Sequence, residues 1–236
     1  MKIIPRLILC TLLSSPIQTN AESYTFSGGK NNFAHSIAAE ILIKAYKKAN
    51  IDVTPLFLTL QESLERSNSG KTDGELARIS AITKFSPNLK KVPVSIISIN
   101  AVAFSKNKSL FINNWNDLKD HNLTIVKGAK FIEMETKDID RNFVATLEEA
   151  LLVLESGQTE IIVIPKLASI NLIYQNKYND IKAVSNSLKT LKLYHFVHSK
   201  NAHLIPIITP VLQDMEKSGE IDFIRKAELI KATKNF

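Results

Sequence analysis

Apolar residues recur along the chain at two spacings, and stretches of the two kinds alternate. Residues 24–26, 53–58 and 73–79 are short runs of the β type. Between the first two runs, apolar positions within residues 37–46 recur every three or four residues, which predicts an amphipathic helix. Thr59 has the place of an N-cap before a second helical stretch. Strands and helices that alternate in this way predict a mainly parallel sheet covered by helices.

A second alternation follows a long apolar run. Residues 94–104 are apolar and β-branched, and the run is long enough to cross between two lobes. Residues 123–126 and 161–164 predict buried strands. Between these strands, Thr146 and Glu149 have the spacing of a capping box at the start of a helix. The pattern therefore predicts two α/β units, one after the other.

The remaining chain predicts a return to the first unit. Residues 194–198 have the pattern of a strand, and residues 204–217 that of a helix. Pro210 falls inside this helix, where a proline costs about 3 kcal/mol. We therefore expect a kink or a later start of the helix.

Residues 1–21 have the three regions of a secretory signal in the correct order. Lys2 and Arg6 give a positive start, residues 7–17 are mostly apolar, and Ala21 is the small residue that a signal peptidase requires. The apolar region is shorter than the roughly 20 residues that span a bilayer. We predict export to the periplasm, cleavage after Ala21, and a soluble mature chain that is not embedded in a membrane.

Removal of this segment changes both the thiol content and the charge. The single cysteine, Cys10, lies within it, so the mature chain would have no disulfide and no cysteine nucleophile. The formal charge of +7 (30 Lys+Arg, 23 Asp+Glu) falls to +5 without Lys2 and Arg6. The positive residues are scattered, and no aromatic residues interleave the adjacent lysines at 47–48 and 90–91. We therefore expect no nucleic-acid partner.

The sequence gives no support for an enzyme or a metalloprotein. It contains no nucleophile elbow, no P-loop and no HExxH motif, so we expect neither catalysis nor a cofactor. His195 and His198 lie three apart on a predicted strand and should point to opposite faces. They cannot easily share one ion with each other, and we expect no metal site.

Three stretches in the correct order resemble a known family. They are NSGKTDGELAR at 68–78, WNDLK and LTIVKG within 115–128 followed by LLVLESGQTEI at 151–161, and the segment 200–221. Each resembles a motif of the bacterial solute-binding proteins of the amino-acid-binding type, also called family 3. Together they cover most of the mature chain.

The resemblance implies a periplasmic-binding-protein-like (type II) Venus flytrap, an α/β fold with two lobes joined by a two-strand hinge. Lobe 1 would comprise residues 22–98 plus 195–236, and lobe 2 residues 106–191, with hinge crossings at 99–105 and 192–194. Such proteins close around a small solute and pass it to an ABC-type transporter, whose permease would be a partner. The alternative is a sensory or regulatory module that reports the solute to a membrane partner.

Two departures from the family pattern bear on the solute. Residues 84–89 lack the arginine that clamps the α-carboxylate in the family, and the second-lobe strand is followed by Lys166 where the family has an aspartate for the amino group. The resemblance therefore does not imply a standard α-amino acid. A small polar or anionic solute is expected instead.

Arg78 is the leading ligand-binding candidate. It ends a strand that should open into the cleft, and a guanidinium can bind a carboxylate or phosphate through two parallel hydrogen bonds. A structural ion pair with Glu75 or Glu62 is the competing interpretation. The full set of candidate ligand-binding residues is Arg78, Ser27, Glu75, Lys130 and Lys166.

Overall fold

The computed structural model of the protein describes residues 22–234, so the predicted signal segment lies outside the described residues. The strands are β1 (Ser23–Gly29), β2 (Asp52–Leu58), β3 (Gly74–Ile79), β4 (Leu89–Ser105), β5 (Leu123–Val126), β6 (Asn142–Val144), β7 (Ile161–Pro165), β8 (Lys182–Ala183) and β9 (Lys189–His198). The helices are α1 (Phe33–Lys48), α2 (Leu60–Asn68), α3 (Lys130–Glu135), α4 (Leu147–Glu155), α5 (Lys166–Gln175), α6 (Leu204–Lys217) and α7 (Glu220–Lys234). Short 3-10 helices lie at Ser80–Lys84, Trp115–Asp120 and Ser199–Asn201.

The strands follow the order β2-β1-β3-β9-β4-β7-β5-β6, and β8 also pairs with β4. The hydrogen-bonded path is continuous because β4 is long: its first part pairs with β9, and its end pairs with β7 and β8. The pairs β1–β2, β1–β3, β5–β6 and β5–β7 are parallel, whereas the pairs made by β4 and β9 are antiparallel.

The two ends of this path repeat one topology. β2-β1-β3 and β6-β5-β7 each place the first strand of the unit in the middle and the third strand innermost, against an antiparallel crossing strand. The first lobe contains β1–β3, α1, α2, α6 and α7, and the second contains β5–β8 with α3–α5. The predicted α/β fold with two lobes is confirmed, while the exact residue boundaries given above stay predictions.

Two strands form the crossing between the lobes. β4 and β9 pair through it, with Ser98 opposite Lys192 and Ala101 opposite Lys189. Both strands are longer than their apolar patterns predict. Where apolar side chains are fewer, the backbone hydrogen bonds between β4 and β9 keep both strands extended.

The core follows the apolar positions identified in the sequence. On α1, the side chains of Ile37, Ile41 and Leu42 are fully buried, as the helical spacing predicts. All five residues of β7 are buried, in agreement with the prediction of a covered strand. α6 begins at Leu204 with Pro210 inside it, so of the two expected outcomes the later start does not occur and the kink stays a prediction. Within residues 22–234, no helix is both long and apolar enough to cross a membrane.

Candidate functional site

The carboxyl ends of the parallel strands in the two lobes face each other, and a small cavity lies between them. Open α/β sheets bind ligands at this end of the strands. The cavity measures ≈ 50 Å³. Its lining residues come from both lobes and from the crossing strands: Asn32, His35, Leu60, Ala77, Arg78, Ile79, Ile82, Ile99, Gly128, Ala129, Lys130, Phe131, Pro165 and Leu193.

A buried ion pair joins Arg78, which lines one wall of the cavity, to Glu75, which lies behind that wall. The Nε of Arg78 donates to Oε2 of Glu75 at 3.0 Å, and Nη2 donates to Oε1 at 3.2 Å. Residues three apart on a regular strand point to opposite faces. Here the register of β3 against β9 shifts between Glu75 and Arg78, so one extra residue in β3 turns both side chains to the same side.

The carboxylate of Glu75 is engaged inside the protein and not exposed to a ligand. It is completely buried, and Oε1 also accepts hydrogen bonds from Ser63 Oγ at 2.9 Å and Ser67 Oγ at 3.0 Å. The two serines lie four residues apart on α2 and therefore share one face of that helix. Four donors hold this carboxylate, and it orients the guanidinium of Arg78.

Arg78 also joins the two lobes. Its Nη2 donates to the carbonyl oxygen of Leu60 at 2.7 Å, and its Nη1 donates to that of Gly128, in the second lobe, at 3.2 Å. A guanidinium has five N–H donors. Within residues 22–234, the bonds to Glu75, Leu60 and Gly128 use four of them, which leaves the second N–H of Nη1 for a ligand.

Gly128 makes a close approach between the lobes. A Cβ at this position would lie 2.5 Å from the backbone nitrogen of Gln61 and 2.7 Å from the carbonyl carbon of Leu60. Its φ of +87° also favours glycine. A side chain here would therefore prevent the contact between the lobes.

His35 contributes a neutral imidazole to the cavity. Its Nδ1 accepts a hydrogen bond from the backbone N–H of Gly29 at 2.6 Å, so the ring proton is on Nε2. Burial, assisted by the positive charge of Arg78, lowers the pKa of His35 from 6.5 to about 3. No hydrogen bond joins Nε2 to another residue of the described chain, so its N–H remains a donor for a ligand.

Lys130 lies on the opposite wall, at the first position of α3. Its Nζ bonds to Oε2 of Glu133 at 2.6 Å, and the other oxygen of Glu133 accepts the backbone N–H of Gly128 at 2.6 Å. Lys130 is thereby held beside the cavity with N–H donors left over, since an ammonium group has three.

The other candidates lie away from the cavity. Ser27 is completely buried, and its Oγ lies 3.2 Å from the carbonyl oxygen of Ser63 and 3.1 Å from the hydroxyl of Thr72. Lys166 is exposed and lines a separate crevice on the second lobe. Of the five residues chosen from the sequence, the structure thus places Arg78 and Lys130 in the cavity wall and Glu75 behind Arg78.

The histidines considered for a metal site serve other purposes. His195 is buried, and its Nδ1 donates to the carbonyl oxygen of Glu75 at 2.7 Å while Nε2 accepts from the hydroxyl of Tyr46 at 2.9 Å. His198 accepts the backbone N–H of Lys200. Among the residues that the structure describes, no three His, Cys, Asp or Glu side chains come together to hold a metal ion.

No protein-family model matches the chain, and a comparison with curated proteins also finds no match. Solved structures do match over most of the length. A histidine kinase sensor domain with similarity to periplasmic binding proteins has a TM-score of 0.79 at 15% identity, over 89% of this chain and 96% of that one.

Two proteins that bind amino acids match with similar scores. The amino acid ABC transporter substrate-binding protein AbpA from Streptococcus pneumoniae, bound to L-arginine, has a TM-score of 0.75 at 14% identity, over 89% of this chain and 95% of that one. The arginine-, lysine-, histidine-binding protein ArtJ from Geobacillus stearothermophilus has a TM-score of 0.73 at 12% identity, over 87% and 94%. At these identities the likeness shows the fold: the chain has the two-lobed α/β fold of periplasmic binding proteins.

Proposed function

We propose that the protein is a periplasmic solute-binding protein that captures a small polar or anionic solute between its lobes for an ABC-type transporter. The observation that carries this proposal is the cavity between the facing strand ends, with Arg78 in one wall and Lys130 in the other. A ligand that contacts both walls favours the closed arrangement over the open one, because it binds only the former with both lobes.

The cavity size supports a cycle of opening and closure. Sites for drug-sized ligands measure about 300–1,000 Å³, so a cavity of ≈ 50 Å³ gains room for a solute when the lobes part. In this proposal Arg78 and Lys130 bind the solute, Glu75 orients Arg78, and Ser27 supports the α2 segment through Ser63. Lys166, outside the cavity, takes no direct part. The protein binds its solute without converting it.

The likeness to a histidine kinase sensor domain favours a second candidate function. In that case the same lobes would report the solute to a membrane partner instead of a permease. Because closure on a solute serves both functions equally, the fold does not separate them. Measuring uptake of the labelled solute by cells with and without the gene separates the two functions. Loss of uptake in cells without the gene supports transport. Unchanged uptake with a lost response to the solute supports sensing.

A thermal-shift screen of the secreted protein tests the binding function itself. The panel should contain amino acids, organic acids, sugars, polyamines and inorganic anions. A bound solute raises the melting temperature by mass action, by an amount that grows with ligand concentration. We expect at least one concentration-dependent shift, confirmed by calorimetric titration. A panel without any such shift would contradict the proposal.

A further inference from the structure

The walls of the cavity are mainly apolar. Ile79, Ile82 and Ile99 come from the first lobe and the crossing strand, and Phe131 closes the cavity from the second lobe. All four side chains are buried. Since burial of apolar surface contributes roughly 25 cal/mol per Å², such walls favour a ligand with an apolar body.

The polar atoms that remain unused at the cavity are mainly donors. They are the second N–H of Arg78 Nη1, the Nε2–H of His35, and the N–H groups of Lys130 that Glu133 does not occupy. Two of the three groups are cationic. Donors of this kind bind an oxygen acceptor, and a carboxylate accepts several of them at once.

Among the residues that the structure describes, no carboxylate lines the cavity. Glu75 is completely buried and already accepts from four donors, and both oxygens of Glu133 are bonded, one to Lys130 and one to Gly128. The side-chain oxygen of Asn32 already accepts the backbone N–H of His35. An ammonium group in this cavity would therefore be desolvated without an anionic partner, which is costly.

From this combination we infer that the solute is a monocarboxylate with a small apolar body and no ammonium group. The inference rests on the proposed binding function and names its ligand class. The carboxylate would contact Arg78, His35 and Lys130, and the apolar body would pack against Ile79, Ile82 and Phe131. The same site would discriminate against the α-amino acid of identical carbon skeleton, because its ammonium group adds a charge that the walls cannot pair.

Matched pairs of ligands test this inference on the secreted protein. Each pair differs only in the α-ammonium group: propanoate and alanine, 3-methylbutanoate and valine, 4-methylpentanoate and leucine, and 3-phenylpropanoate and phenylalanine. We expect at least one of the four carboxylates to bind in calorimetric titration, and its amino acid to bind at least about tenfold more weakly. An amino acid that binds as tightly as its carboxylate, or failure of all four carboxylates, would overturn the inference.

The outcome also distinguishes this inference from the proposed function. If an amino acid or another solute of the broader screen binds and the carboxylates do not, the binding function stands and the ligand class is wrong. If no solute of either panel binds, the binding function fails as well.

A pair of lysine variants locates the bound carboxylate. Lys130→Met removes a donor from the cavity wall, whereas Lys166→Met changes a lysine at the first position of α5, outside the cavity. A charge-assisted hydrogen bond contributes about 1.5–3 kcal/mol, so Lys130→Met should weaken binding of the carboxylate roughly tenfold or more. Lys166→Met should leave it unchanged. Equal affinities for the two variants would contradict the assigned site.

Discussion

Arg78 and Gly128 lie on opposite sides of the cleft, and the guanidinium of Arg78 donates to the carbonyl oxygen of Gly128 over 3.2 Å. This bond and the close approach of Gly128 join the two lobes directly, so a solute that parts the lobes must replace these contacts as well as bind. Solute affinity will reflect the difference in free energy between the arrangement with these contacts and the arrangement with the solute.

The approach of the lobes at Gly128 can be blocked by one methyl group. Gly128→Ala would place a Cβ 2.5 Å from the backbone nitrogen of Gln61, so we expect the lobes to stay apart. The label-to-label distance between spin labels at Lys71 and Lys119, exposed positions on the two lobes, should increase. The predicted mature chain has no cysteine of its own to interfere with labelling.

Gly157→Ala is the matched control for this experiment. Gly157 also has a positive φ, +75°, but a Cβ there would meet nothing within 4 Å. Both variants therefore have similar backbone strain, of order 1–2 kcal/mol, and only Gly128→Ala affects the lobe contact. An unchanged distance in Gly128→Ala, or the same change in both variants, would show that Gly128 does not govern closure.

Replacing only one partner of the buried ion pair between Arg78 and Glu75 should lower the free energy of unfolding substantially. Arg78→Met leaves the fully buried carboxylate of Glu75 without its cation, and we expect a loss of about 3–5 kcal/mol in the free energy of unfolding. Glu75→Gln in the same chain removes the unpaired charge while keeping an oxygen for Ser63 and Ser67. The double variant should recover at least half of the loss in urea unfolding; a double variant no more stable than Arg78→Met would refute the interpretation.

Acid should destabilise the protein through two buried histidines. Burial lowers the pKa of His35 to about 3 and that of His195 to about 4, the latter despite hydrogen bonding to the backbone. Below the unfolded-state pKa of about 6.5, the unfolded chain binds protons that the folded chain does not, so stability is full above this pH and falls below it. Each histidine should contribute about 2 kcal/mol of loss between pH 7.5 and pH 5.

Urea unfolding at both pH values measures this loss, which should total about 4 kcal/mol. A variant with His35→Asn and His195→Asn should show a much smaller difference between the two pH values, whatever its stability at pH 7.5. The same slope in the double variant would assign the acid sensitivity to other groups.

Export remains a prediction of the sequence. If residues 1–21 are a signal, the periplasmic form should begin at Glu22, and mass spectrometry of the periplasmic fraction measures its first residue directly. Detection of the chain there with Met1 intact would contradict cleavage. Its detection in the cytoplasm alone would contradict export.

Much of the architecture follows from local patterns. The strand at 123–126 and the helix at 204–217 have the predicted bounds, because each combines a clear apolar period with a stop signal. Other details depend on partners distant in sequence. Thr146 caps α4 as predicted, but the carboxylate of Glu149 accepts the N–H of Ala145 instead of that of Thr146, so the capping box is only half correct.

The sequence predicts the residues of the site less well than it predicts the fold. Arg78 and Glu75 are three apart on a strand, and only the register shift against β9 turns them to one face; no local pattern reveals such a shift. His35 was missed as a cavity residue, although it is buried on α1 on the same face as Ala38 and Leu42, three and seven positions further along. A histidine among the apolar positions of a helix indicates a buried side chain. Its position in the cavity wall, however, depends on how the second lobe packs against the first.

The ladder between β4 and β9 runs through the crossing, with Ile99 opposite Leu191 and Asn100 opposite Thr190. The two strands are therefore a single ribbon, and neither can slide along the other without breaking backbone hydrogen bonds. Such a ribbon bends and twists with little cost but resists shear. In the proposed function, occupancy of the cleft would change the bend and twist of this ribbon, a movement that a docked membrane protein could read without touching the solute.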